Sequence, residues 1–198
     1  MDIQTYSAII SAISLIGMCV GLLFGLQRLN LLYKKANNQY TWTKREKALG
    51  YSLTQSAQHL QSRVTLERQF GNFFDKTEPL NTEIIDAACK EHPDILTHIR
   101  VILGHWENMA LAIHVDICDE DVCYEMVGST IIQTVRVFRN HIDRIRDKNK
   151  EAYKYLLELA RHWDKRKSGI EVPEFSKIDI DMRPLKSTKQ DKTISFRR

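Results

Sequence analysis

Two stretches set an arginine five residues ahead of a histidine: Arg100 to His105 and Arg136 to His141. A guanidinium can grip a phosphate with two parallel hydrogen bonds, and an imidazole can move a proton near neutral pH. Such a pair, converging in a cleft, suits cleavage of an RNA phosphodiester. The spacing is a weak signal. With 14 Arg and 7 His in the chain, pairs at this separation arise from composition alone. Solvated Arg and His on helix surfaces are the plainer reading. A membrane-tethered helical-bundle ribonuclease using Arg136 and His141 is the alternative function.

Other chemistry finds no foothold. There is no Cys-x-x-Cys or His-x-x-x-His spacing for zinc, and Cys118 and Cys123 have no histidine at zinc spacing. The acidic turn Asp116 to Asp121 lacks the alternating oxygen ligands and the glycine of a calcium loop, so helix capping explains it better. His105-Trp106-Glu107 lacks the second histidine of a metalloprotease. No phosphate loop, nucleophile elbow or dinucleotide fingerprint is present. The expectation is therefore no catalytic residue, no metal and no cofactor. From Lys165 to Arg198 ten basic residues face five acidic ones without regular aromatic interleaving, which does not support specific nucleic-acid recognition.

The elements that would carry such residues are helical. Residues 7–26 contain no charge. At about 1.5 Å per residue that run spans about 30 Å, the hydrocarbon thickness of a bilayer. A mean hydropathy of −0.36 for the whole chain hides this split. Met1 to Tyr6 has no basic residue and Gly25-Leu26-Gln27 is no signal-peptidase site, so the run reads as an uncleaved anchor. Arg28, Lys34, Lys35, Lys44, Arg45 and Lys47 follow it against Glu46 alone, which puts the N-terminus outside and the remainder in the cytoplasm. Arg28, Lys34 and Lys35 are the membrane-proximal basic residues. Cys89, Cys118 and Cys123, an odd number beyond the anchor, suit reduced thiols.

Ser14, Gly17, Gly21 and Gly25 form one small-residue stripe along the anchor, continued backwards by Ser7 and Ser11. Close backbone approach along such a stripe is what drives helices together in lipid, so these residues are the expected oligomerisation face.

Beyond the anchor, residues 27–70 lack proline and read as a stalk helix, with Leu49, Leu53, Ala57, Leu60 and Val64 as the stripe facing its own bundle. Asn81 is placed to cap a short helix ending near His92, and Pro93 to open the next. Ile95, Ile99, Ile102, Trp106, Met109 and Ile113 mark the inner face of one helix. Asp119 caps another, running from Val127 through Phe138 to Ile145 and stopping at Lys148-Asn149. Tyr153, Leu156, Leu157, Ala160 and Trp163 mark the last, which ends at Lys165 to Gly169. The fold class expected is all-α: a transmembrane anchor over 1–27, a juxtamembrane stalk helix over 28–72, a small antiparallel helical bundle over 79–167 and a flexible basic tail over 168–198. Ile178 to Met182 alternates like a short strand that would pair at an edge.

The anchor beginning Met1-Asp2-Ile3-Gln4-Thr5, Trp42-x-Lys44-Arg45, the run Trp106-Glu107-Asn108-Met109-Ala110-Leu111-Ala112-Ile113 before an acidic turn, and Tyr153-x-x-Leu156-x-x-Leu159-Ala160-x-x-Trp163 together resemble a bacterial family of single-pass membrane proteins with a short helical cytoplasmic domain, known only as a domain of unknown function. The resemblance covers roughly residues 1–166 and implies a bacterial inner-membrane location, but no functional residue. The function expected is that of a non-enzymatic, membrane-anchored, oligomeric adaptor, sensor or membrane effector, with bacterial defence as one setting. Its expected partners are the lipid bilayer, further copies of itself and a cytoplasmic protein.

Overall fold

A computed structural model describes the backbone of residues 3–53, 57–178 and 180, and the side chains of 17–18, 21–51, 59–178 and 180. The described residues form seven α-helices and no strand: α1 Ile3–Leu53, α2 Ala57–Phe70, α3 Thr82–Glu91, α4 Ile95–His114, α5 Glu120–Val137, α6 Arg139–Lys148 and α7 Lys154–Lys167, with 3-10 turns at Phe73–Asp75 and Phe175–Lys177. The all-α reading holds.

Local chemistry sets several of these boundaries. The Asn81 side chain accepts a hydrogen bond from the Glu83 amide, and that of Asp119 from the Val122 amide, so each satisfies an otherwise unpaired N–H at a helix start. Gly71 closes α2 at a φ of 83°, a left-handed turn that costs glycine nothing, while its amide bonds the Glu67 carbonyl at 2.8 Å.

The core is built around α4. Ile95, Ile99, Ile102, Trp106, Met109 and Ile113, the expected face, are all buried. Helix α2 runs against α4 on one side, placing His59 beside His105 and Ser62 beside His98. Helix α7 covers another side with Leu156, Leu159 and Trp163. Helix α5 packs on α7 and on the end of α1. Trp106 and Trp163 are packing residues, as their apolar helix faces imply.

Three expectations are corrected. The helix expected to run through Phe138 breaks there. The Leu80 amide takes the Val137 carbonyl at 2.9 Å, so that carbonyl leaves the helical ladder, and the Phe138 ring turns in against Phe70 and Phe73. The stalk stripe is also misassigned: Leu49, Leu60 and Val64 are exposed, and Ala48, His59, Ser62, Leu66 and Phe70 are the buried positions. The side chains of Leu53 and Ala57 lie outside the described residues. Finally, Phe175, inside the segment read as a flexible tail, is fully buried, and Ile180 is nearly so. Residues 181–198 lie outside the described residues, as does much of the strand expected from Ile178 to Met182.

Candidate functional site

Helix α1 carries two kinds of surface. From Met18 to Tyr33 the large apolar side chains among the described residues are exposed, including Leu22, Leu23, Phe24, Leu26, Leu29, Leu31 and Leu32. At 3.6 residues per turn these positions lie all round the helix. A Cβ built on Gly17, Gly21 or Gly25 meets nothing within 4 Å, so these three glycines face open space. Ser14 lies in the helix, with its side chain outside the described residues. Arg28, Lys34 and Lys35 are exposed on the same helix. Among the described residues no helix is long and apolar enough to cross a membrane. Most side chains of the uncharged run 7–26 lie outside that set.

Near its C-terminal end α1 is fastened to the bundle. Tyr40 donates its hydroxyl proton to the Asp116 carboxylate at 2.8 Å, and Lys44 forms an ion pair with the same group. Arg45 reaches Asp119 at 3.3 Å, and the Asp119 amide donates to the Lys44 carbonyl at 3.3 Å. Ala48 has no exposed surface. The Tyr51 hydroxyl donates to the Asn108 carbonyl at 3.5 Å, and the Tyr51 backbone bonds the His105 ring. The hydrogen bond from Lys44 holds the Asp116 carboxyl below the usual carboxylate range, with Tyr40 adding to the effect. Asp116 itself sits at a φ of 61°, a region aspartate tolerates better than most residues.

The acidic turn therefore does more than cap α5. Its carboxylates are all engaged. Glu120 accepts from the Trp163 indole at 3.1 Å and from the Phe175 amide at 2.7 Å, and lies 3.1 Å from the His162 ring. Asp121 pairs with Arg166. Together with Lys44 and Glu174 these groups line a depression of about 190 Å³. Among the described residues no cluster of His, Cys, Asp and Glu is arranged to hold a metal. Burial raises the thiols of Cys118 and Cys123, the latter to about 12, which suits neither nucleophile nor ligand.

The Arg–His pairs do not converge. Arg136 is exposed on α5, donating to Gln133 at 3.1 Å and lying 3.9 Å from Asp164. His141 is buried on α6, beyond the turn at Phe138, with its Nδ1 3.5 Å from Arg144. The two residues line different depressions. Arg100 is exposed, whereas the His105 ring packs against His59 at 4.4 Å and Trp106 at 4.8 Å.

Residues 8–163 match the model of a domain of unknown function, DUF4760. The chain belongs to this family. No curated protein and no solved structure matches it. The DUF4760 match spans the exposed part of α1, its junction with the bundle and every helix through most of α7. Sequence reasoning missed the partners Tyr40, Lys44 and Asp116. Lys44 reads as one of several basic residues after an apolar run, and nothing local ties it to an aspartate 72 positions on.

Proposed function

We propose that this chain is a non-enzymatic, membrane-anchored helical protein of the bacterial inner membrane. It self-associates through α1 and presents its bundle to the cytoplasm as an adaptor, sensor or membrane effector. An effector of bacterial defence is one such role. The N-terminus lies outside, because the basic residues that follow the apolar run stay with the cytoplasm. The observation that carries the reading is the pairing of two surfaces on one helix. Apolar side chains from Met18 to Tyr33 stand uncovered all round α1, while Tyr40, Lys44 and Arg45 of the same helix are bonded to the acidic turn of the bundle. A helix can carry a displacement along its axis without a flexible joint, so an event at the bundle would reach the apolar end. The stripe Ser14, Gly17, Gly21 and Gly25 supplies the contact between copies.

The test is the size of the purified full-length protein in a membrane mimic, by native mass measurement and chemical cross-linking, beside Gly21→Leu. A leucine there blocks close backbone approach and is expected to dissociate the oligomer without unfolding the bundle. A strict monomer, unchanged by the substitution, would remove the proposal.

A further inference from the structure

On the bundle, residues of α4 and α6 line a depression of about 390 Å³. Leu96 and Ile145 give it an apolar wall, and Arg100, Arg144 and Lys148 bring three cations to it. Arg144 is already held by Asp86, at 2.7 and 2.8 Å. Arg100 and Lys148 make no ion pair among the described residues.

His141 also lines this depression and is 2% exposed. Its Nδ1 lies 3.5 Å from an Arg144 nitrogen. A guanidinium has only donors, so this Nδ1 is an acceptor, and a neutral imidazole then carries its proton on Nε2. Burial first, and the Arg144 charge after it, lower the basicity of the ring and keep it neutral at pH 7. The Nε2 proton is thus a buried donor, and it has no hydrogen-bond partner in the protein. Buried donors without acceptors are rare, because each forfeits its hydration for nothing in return. An anion in the depression would meet the two unpaired cations and lie beside this ring.

We propose that this depression binds a small phosphomonoester, its phosphate held by Arg100 and Lys148 beside the His141 ring and its organic body lying on Leu96 and Ile145. Lipid headgroups are the wrong source on geometry. Helix α1 reaches the bundle at the C-terminal end of α4, where Tyr40 meets Asp116, and the depression lies toward the N-terminal end. The 20 residues of α4 separate those ends by about 30 Å.

The experiment uses the full chain in a membrane mimic, with phenyl phosphate, inorganic phosphate and phenol as probes. The readouts are calorimetry and the ring signals of His141 by NMR. Phenyl phosphate is expected to bind saturably and tighter than inorganic phosphate, to shift the His141 signals, and to outbind phenol. The double variant Arg100→Ala with Lys148→Ala changes exposed side chains only and is expected to weaken binding by about tenfold or more. Absence of a saturable response to either phosphate probe would overturn the proposal. So would binding that survives the double variant, or phenol binding as well as its phosphate ester.

Discussion

Asp116 is where the fastening of α1 to the bundle can be taken apart one interaction at a time. Its side chain receives Lys44 and Tyr40, and its backbone sits at a φ of 61°. Asp116→Asn keeps an acceptor for Tyr40 and tolerates the left-handed backbone, but loses the ion pair. The pair is partly exposed, at 21% for the Lys44 side chain and 48% for Asp116. An ion pair of that exposure is worth about 0.5–1 kcal/mol. Asp116→Ala loses in addition the side-chain acceptor for the Tyr40 hydroxyl, about 1 kcal/mol, and removes the short polar side chain that eases the left-handed backbone, at a further cost of about 1 kcal/mol. Asp116→Gly loses both contacts but relieves the backbone, so it should fall between the two. The order of damage is Asn, Gly, Ala, with melting shifts of about 2 °C for Asn and about 8 °C for Ala in a protein of this size. Hydrogen exchange gives the local readout. Amides from Tyr40 to Tyr51 should open faster in the same order, while those of α4 and α7 change less. Acid should reproduce the effect. The Asp116 carboxyl is held below its ordinary value by Lys44 first, so its contribution is complete above that ordinary value and is lost as pH falls through the depressed one. Equal shifts for Asn and Ala, or Gly as the worst of the three, would refute the account of the fastening.

Glu107 is expected to act as a remote cap for α7, accepting from the Leu156 amide at 2.7 Å and the Tyr155 amide at 3.4 Å; Glu107→Ala should cost about 2 kcal/mol and Glu107→Gln less than half of that in a denaturant titration. Because burial, the largest influence, raises the Glu107 carboxyl, the margin of the native protein over Glu107→Gln should be widest below the usual carboxylate pKa and should shrink as pH rises through the raised one. Thermal stability should fall as pH drops from the ordinary histidine value toward 4. His59, lowered to about 4 chiefly by burial, with His105 and His141 lowered from the same cause, binds protons more readily unfolded than folded. An impermeant thiol reagent should leave Cys89 unlabelled in intact cells and label it after lysis, while buried Cys118 and Cys123 react only on unfolding; labelling of Cys89 in intact cells would reverse the orientation.

What was legible in the sequence was whatever depends on near neighbours. The inner face of α4 follows from its own spacing, and Asn81 and Asp119 announce helix starts because their side chains act within three residues. The break at Phe138 was not legible, since its cause is a carbonyl captured by Leu80, far away in sequence. The inner face of α2 has helical spacing too, through His59, Ser62, Leu66 and Phe70. Half of it is polar, and the larger apolar residues Leu60 and Val64 on another face masked it. The burial of His59 and Ser62 makes sense only once His105 and His98 stand opposite.

The segment after Gly169 shows why the candidate site was the least legible part. Nothing in residues 170–177 is periodic, and charge and proline suggest an extended tail. Yet Phe175 is fully buried, with its ring near His114 and His162. The Glu120 carboxylate makes this docking favourable by accepting the Phe175 amide along with the Trp163 indole. Glu120 is also the first residue of α5, where a negative charge is favoured by the helix dipole. One side chain therefore answers to a local rule and to three distant partners at once. The local rule alone explains its presence in an acidic turn, so the sequence carries no surplus signal from which the partners could be inferred. The same holds for Asp116 on the same loop. A carboxylate cluster that reads as helix capping is also the junction where α1, α5, α7 and the segment after α7 meet, and its members can be told apart only by the donors each one holds.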